Sequence, residues 1–360
     1  MTFDDHNPGL VRLGWNEHFA TAFKEHQEDG LLPGRVSTQH RQGYRVMLGN
    51  EEIEAAPAGR LHHEAIEKSD LPAVGDWVVL RYVPGDALAT IVAVLPRLTK
   101  FSRKVAGEET NEQVLAANVD VFFLVSALNQ DLNVRRIERY VAIGWNSGAT
   151  PVVVLTKADL HDDIAGAVAE VQAAAPGIDI HITSDVTGEG FDGLKTYLTG
   201  NKTVAALGSS GVGKSTLINR LLGSDLLKTQ GLRDDGKGRH TTSHREMVML
   251  PRGGIIIDTP GMRELQLWEM NEGLDTAFSD IAELAESCRF ADCAHASEPG
   301  CAVRAAVAEG ILNLERLDSY KKLEKELAYL ERKHDKKLAR EEARKWKRLN
   351  VEARARTRQR

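Results

Sequence analysis

Gly208, Ser209, Ser210, Gly211, Val212, Gly213, Lys214 and Ser215, in succession, match the spacing G-x-x-x-x-G-K-[ST]. That pattern suits chemistry on a phosphate chain. Glycines let the backbone wrap phosphates with its N–H groups turned inward, at the positive end of the helix that Thr216 continues. Lys214 is expected to reach the β- and γ-phosphates and to act in catalysis, and the Ser215 hydroxyl to ligate Mg²⁺. The loop works only between a strand and a helix. Apolar Thr203–Leu207 precedes it and the helical run Thr216–Leu222 follows.

Three further segments carry complementary chemistry. Asp258-Thr-Pro-Gly261 ends the apolar run Ile255–Ile257. An acidic residue there can hold Mg²⁺ through water, and the Gly261 N–H can sense a γ-phosphate. Thr156, Lys157, Ala158 and Asp159 follow a strand ending at Leu155. The Asp159 carboxylate can accept from the guanine N1–H and N2–H₂ groups, a pairing adenine does not offer, while Lys157 packs its stem along the base. Ser184-Asp-Val-Thr-Gly-Glu-Gly190 can close over guanine with a backbone N–H near Ser184. Together these segments predict a GTP-binding hydrolase using Mg²⁺. Cys288, Cys293, His295 and Cys301 fall within 14 residues and include every cysteine of the chain. Three thiolates and one imidazole suit a closed tetrahedral site for one Zn²⁺.

These residues need elements to position them. Gly43–Leu48, Gly75–Tyr82 and Ala89–Leu95 read as short strands divided by turns, the spacing of a small all-β barrel. An OB-fold and an SH3-like barrel both fit. Beyond about residue 115, the apolar strands 119–125, 151–155, 178–182, 203–207 and 255–258 alternate with helices, the signature of a doubly wound α/β domain. Val134, Ile137, Val141 and Trp145 recur at helical spacing. A mainly helical region follows, with Leu323, Leu327 and Leu330 on one face of its last part. The division expected is an extension over 1–33, a barrel over 34–110, a P-loop domain over 111–272, a zinc-binding helical domain over 273–330 and a basic tail over 331–360.

Composition bounds the function. With 42% apolar and 27% charged residues the 360-residue chain reads as a soluble globular protein. No apolar run reaches membrane-spanning length and the first thirty residues resemble no leader, so a cytoplasmic protein is expected. Residues 331–360 hold 13 Lys/Arg against 5 Asp/Glu, a net of +8, which leaves −14 on the first 330. A basic tail on an acidic body suits contact with a polyanion or a solvated helix end.

The guanine-reading loops precede the phosphate loop, whereas ordinary GTPases have them last. This permuted order, the barrel, Gly238-Arg-His-Thr-Thr242, Asp258-Thr-Pro-Gly261 and the Cys₃His spacing together resemble the ribosome small-subunit-dependent GTPase family of the RsgA type over nearly the whole chain. The resemblance implies an N-terminal OB-fold, a circularly permuted GTPase domain and a C-terminal zinc domain. It also implies a late maturation factor, a monomer that binds the 30S subunit and 16S rRNA, hydrolyses GTP when that subunit stimulates it and helps release another assembly factor. Thr241, rather than Thr242, is favoured as the Mg²⁺ ligand of the switch loop. Met262 stands where many GTPases place a water-orienting Gln, and His240 is the candidate catalytic substitute, or else only packs or contacts RNA. Thr156 replaces the usual Asn of N-K-x-D, which predicts a weaker contact there, and Gly211 replaces the Asn of potassium-activated relatives.

On the barrel, Arg35, His40, Arg41, Tyr44, Arg45 and Arg81 are expected to offer cations and one aromatic ring to rRNA. In the tail, Lys336, Lys337, Arg340 and Arg344–Arg348 are expected to neutralise phosphates, with Trp346 available for stacking. Competing readings are a nucleotide-gated rRNA checkpoint in which hydrolysis only times release, and a permuted GTPase of the large subunit.

Overall fold

The computed structural model describes residues 7–26, 30–40, 43–65, 67–83, 85–104, 112–129, 132–209, 211–223, 245–251, 253–258, 271–325 and 328. Two short helices open it, α1 (Pro8–Arg12) and α2 (Glu17–Phe23), each capped by an Asn. The Asn7 and Asn16 side chains accept from the free N–H groups of the first turn. Trp15, Phe19 and Phe23 are buried, and the Trp15 ring meets Trp77 at 4.7 Å between centroids. The segment ahead of the barrel is thus part of its packing.

The barrel comprises β1 (Leu31–Gln39), β2 (Tyr44–Leu48), β3 (Glu51–Pro57), β4 (Trp77–Arg81) and β5 (Ala89–Val94), with α3 (Gly59–Glu64) between β3 and β4. β1 begins inside the segment read as an extension. Antiparallel pairs β1–β2, β2–β3 and β4–β5 join a parallel β3–β5 pair, and β1–β4 closes the ring. That pairing, with the helix between the third and fourth strands, makes the barrel OB-like and removes the SH3-like alternative. Val36, Val46, Val78, Leu80 and Ile91 fill it. A two-stranded ribbon, β6 (Lys100–Lys104) with β7 (Glu112–Ala117), leads out of it.

The α/β domain follows as β8 (Val121–Ala127), α4 (Val134–Asn146), β9 (Thr150–Thr156), α5 (Ile164–Ala174), β10 (Ile180–Ile182), α6 (Phe191–Lys195), β11 (Thr203–Leu207), α7 (Lys214–Leu222), β12 (Glu246–Met249) and β13 (Ile255–Asp258). In space the order is β10-β9-β8-β11-β13-β12, parallel except for β12. The fourth strand along the chain, β11, therefore lies between the first and the last, β8 and β13. Strand ends that converge there do not depend on chain order, which is how a permuted sequence builds one site. β12 also pairs with β1 at Thr38↔Glu246, so barrel and domain share a continuous sheet. Among the described residues, the helices α8 (Asn271–Ala277), α9 (Ser279–Ala285) and α10 (Ala302–Ala308) and a helix over 314–325 follow. Among the described residues no helix is long and apolar enough to cross a membrane.

Two residues expected on the barrel surface lie inside. Arg35 is 2% exposed and donates to the carbonyls of Leu13, Gly75 (3.1 Å) and Asn118 (2.9 Å). It fastens the N-terminal helices, the barrel and the entry to β8 together. Burial draws its pKa down to about 10 against the opposing pull of the Asp120 and Asp76 carboxylates, so it remains a cation at neutral pH. Tyr44 is buried in the barrel core, and Arg45 is engaged by Glu54 at 2.9 Å. Arg81 stays exposed and His40 half-buried. Arg41 lies outside the described residues.

Candidate functional site

The phosphate loop leaves β11 and enters α7 at Lys214, as its chemistry demands. Gly208 is obligatory through crowding: a Cβ there would stand 2.3 Å from the Val125 carbonyl on β8. Lys214 Nζ donates to the carbonyls of Gly208 (2.8 Å) and Ser209 (2.7 Å), curling over the first turn of the loop. Ser215 and Thr216 follow in the first turn of α7, half-buried. Asp258, 6% exposed, ends β13 opposite Ala206, two residues before the loop begins. A carboxylate at that position can take part in holding Mg²⁺ beside the Ser215 hydroxyl. Ser210, Gly261, His240 and Thr241 were also expected here and lie outside the described residues, as does Met262.

The guanine-side loops meet the phosphate loop from β9 and β10. Thr156 is buried, and its hydroxyl donates to the carbonyl of Val212 (2.5 Å), with that of Ser126 a more distant 3.3 Å away. The contact expected to be weaker for want of Asn is therefore made by a threonine. Lys157 stands at φ +58 and its ammonium donates to the Gly211 carbonyl at 2.8 Å, crossing above the loop. Asp159 is exposed, and the Ser184 hydroxyl donates to its Oδ1 at 2.5 Å. That bond orients the carboxylate and leaves lone pairs on both oxygens for a donor pair on a base. Ala158 N donates to the Thr183 carbonyl, which joins the two loops. Ser184 and Glu189 form an isolated bridge, and Gly190 ends this turn at φ +85, where a Cβ would stand 1.8 Å from the Ile182 carbonyl. Sequence reasoning missed the Asp185–Arg220 ion pair (2.5 Å) between this loop and α7, because neither residue carries a motif.

Cys288, Cys293, His295 and Cys301 converge, their ligand atoms all within 4.8 Å of one another. The Cys301 Sγ lies 3.4 Å and the Cys288 Sγ 3.7 Å from His295 Nδ1, with 3.9 Å between the two sulfurs. A tetrahedron with Zn–S bonds of about 2.3 Å has S···S edges of about 3.8 Å, close to the Cys288–Cys301 separation, so the cluster fits one Zn²⁺. Burial keeps His295 below its ordinary pKa, favouring the neutral imidazole a metal requires. Burial opposes ionisation of Cys288, yet backbone N–H groups of Val303 and Ala302 at the start of α10 bring its thiol below the ordinary value. Cys301 caps α10, accepting from Arg304 N at 3.5 Å.

The geometry is that of a GTPase whose loops are joined in permuted order. A family model described as RsgA GTPase matches residues 94–268, and one described as 50S ribosome-binding GTPase matches residues 203–338. A protein of Opitutus terrae named small ribosomal subunit biogenesis GTPase RsgA is 48% identical over 360 residues, covering 97% of this chain and 98% of the relative. The chain belongs to the RsgA GTPase family. Another relative, named small ribosomal subunit biogenesis GTPase RsgA 2, from Lactiplantibacillus plantarum, is 49% identical over 84% of this chain and 85% of its own length. Among solved structures, YjeQ from Thermotoga maritima matches with a TM-score of 0.62 at 26% identity, over 83% of this chain and 99% of that one. YloQ, described as a circularly permuted GTPase, matches with a TM-score of 0.59 at 25% identity, over 84% and 97%. RsgA membership makes the chain a GTP hydrolase, for which GTP with Mg²⁺ is typical.

Proposed function

We propose that this RsgA-family GTPase acts in the cytoplasm as a monomeric late maturation factor of the small ribosomal subunit. In this reading it binds 16S rRNA on the 30S particle, hydrolyses GTP to GDP and phosphate when that particle stimulates it, and promotes release of another assembly factor. The observation that carries the reading is one continuous sheet that joins an OB-like barrel to the phosphate-loop strand. An RNA-binding type of barrel and a nucleotide site on a shared sheet suit a GTPase that works on a ribonucleoprotein. The names of the relatives support the choice of subunit.

Lys214, Ser215, Asp258 and Thr241 are assigned to the phosphates and Mg²⁺, and Thr156–Asp159 with Ser184 to the guanine. His240 is assigned to orienting the attacking water on the particle, since the thioether of Met262 has no hydrogen to give and accepts only weakly. GTP turnover by the intact protein, alone and with purified 30S or 50S subunits, tests the reading. Acceleration by 30S alone supports it, and no acceleration by 30S overturns it. The match of residues 203–338 to a 50S ribosome-binding GTPase model favours one second reading, a large-subunit factor, which stimulation by and co-sedimentation with 50S particles would select.

A further inference from the structure

Helix α4 has two working sides. From its first turn, Arg136 Nη1 donates to the Ser209 hydroxyl of the phosphate loop at 2.6 Å. Ser209 is the same residue whose carbonyl accepts from Lys214 Nζ at 2.7 Å. Arg136 thus holds the side chain, and Lys214 the main chain, of one loop residue. Successive helical residues turn by about 100°, so Arg135 and Glu138, three apart, share a side that Arg136 does not. They meet the helix over 314–325. Arg135 pairs with Glu315 at 3.1 Å, and the Glu138 carboxylate accepts from Ser319 Oγ at 2.6 Å and faces Arg316 at 3.5 Å. Arg316 is in turn held by Asp280 of α9 at 2.6 Å, in the helical region that carries the Cys₃His cluster. No motif in the sequence marks Arg136.

We propose that Arg136 is a positioning residue for GTP hydrolysis, presetting the phosphate loop and Lys214, and that α4 ties that setting to the C-terminal helical region. Arg136 acts through Ser209 rather than on the phosphates. One donor of the rigid guanidinium fork, bound to the hydroxyl, favours a single rotamer of Ser209, while Lys214 holds its carbonyl. That carbonyl then fixes where Lys214 waits before a phosphate draws it forward. The Arg135, Glu138 and Arg316 contacts keep α4 from rotating away from the loop.

The test is intrinsic GTP turnover by the full-length protein without ribosomal particles, so that its failure is distinguishable from failure of the 30S reading. Arg136→Ala is expected to lower kcat by roughly ten-fold, the scale of a lost hydrogen bond to a charged group, with a smaller change in KM. Ser209→Ala should do the same, and the double variant should be no slower than either single one. Arg136→Lys, which keeps the charge and loses the fork, should fall between. Weakening the far side with Arg135→Ala and Ser319→Ala together should lower kcat in the parent and add nothing in the Arg136→Ala background. Additive losses, or a kcat within about two-fold of the parent with only a lowered melting temperature, overturn the proposal.

Discussion

The Thr156 hydroxyl donates to the Val212 carbonyl across 2.5 Å, tying the loop after β9 to the centre of the phosphate loop. A residue that departs from the common N-K-x-D pattern therefore performs a loop-joining role, because a β-branched hydroxyl held at the strand end reaches the Val212 carbonyl. Thr156→Val keeps the shape and removes the donor, leaving a buried carbonyl without its partner at a cost of about 1–3 kcal/mol. GDP and GTP affinity should both fall by roughly ten-fold, measured by titration with fluorescent nucleotides. Unchanged affinity would show that the two loops hold their spacing without this bond.

Arg35 makes a different kind of prediction, about the joint between barrel and GTPase domain. Arg35→Met fills the space but strands the carbonyls of Leu13 and Asn118 and leaves that of Gly75 only the Asn118 amide at 3.1 Å. The expected loss is about 3–5 kcal/mol in urea denaturation, several times that of a surface arginine. Arg81→Met, on the exposed end of β4, should cost less than about 0.5 kcal/mol. Equal effects of the two substitutions would contradict the buried role.

The zinc site predicts one Zn²⁺ per chain by elemental analysis. Chelation should lower the melting temperature and open the 288–301 segment to proteolysis, with both reversed by added Zn²⁺, because a closed Cys₃His site contributes directly to folding. Cys301→Ser should have the strongest effect, since Cys301 is buried and also caps α10. Full metal content and unchanged stability in that variant would remove Cys301 from the ligand set.

What was readable beforehand divides along physical lines. Local signals held: the glycine spacing of Gly208–Ser215, the period-two and continuous apolar runs that became β2, β5, β8, β9 and β11, the helical period of Val134–Trp145, and the short-range Cys₃His cluster. Each is decided within a stretch of neighbouring residues. The environment of Arg35 is decided instead by acceptors 22, 40 and 83 residues away, so a cation in a strand looked like a surface group. Arg136 and Arg220 were equally silent, since their partners lie 73 and 35 residues distant. β12 is four residues long and takes its identity from pairing with β13 and β1. The choice between OB and SH3 barrels likewise needed the parallel β3–β5 pair, which no single strand reveals.

Base selectivity offers the most direct test of the guanine-side loops. Asp159 is exposed at the site mouth with Oδ1 accepting from the Ser184 hydroxyl, so it meets a base with a fixed orientation. As a carboxylate it only accepts, which matches the two donors on the guanine edge. Asp159→Asn replaces one acceptor oxygen with a donor and breaks that match, and GTP affinity should fall by at least about 100-fold. The same change suits xanthine, whose C2 carbonyl stands where guanine has its amino group, so xanthosine triphosphate should now bind and be hydrolysed. Ser184→Ala should loosen the carboxylate without altering what it can accept, costing roughly ten-fold for GTP and conferring no xanthine preference. Competition of GTP, ATP and xanthosine triphosphate against one fluorescent nucleotide separates these outcomes. If Asp159→Asn still prefers GTP, or if ATP competes equally with the parent protein, the base is read by other groups than Asp159.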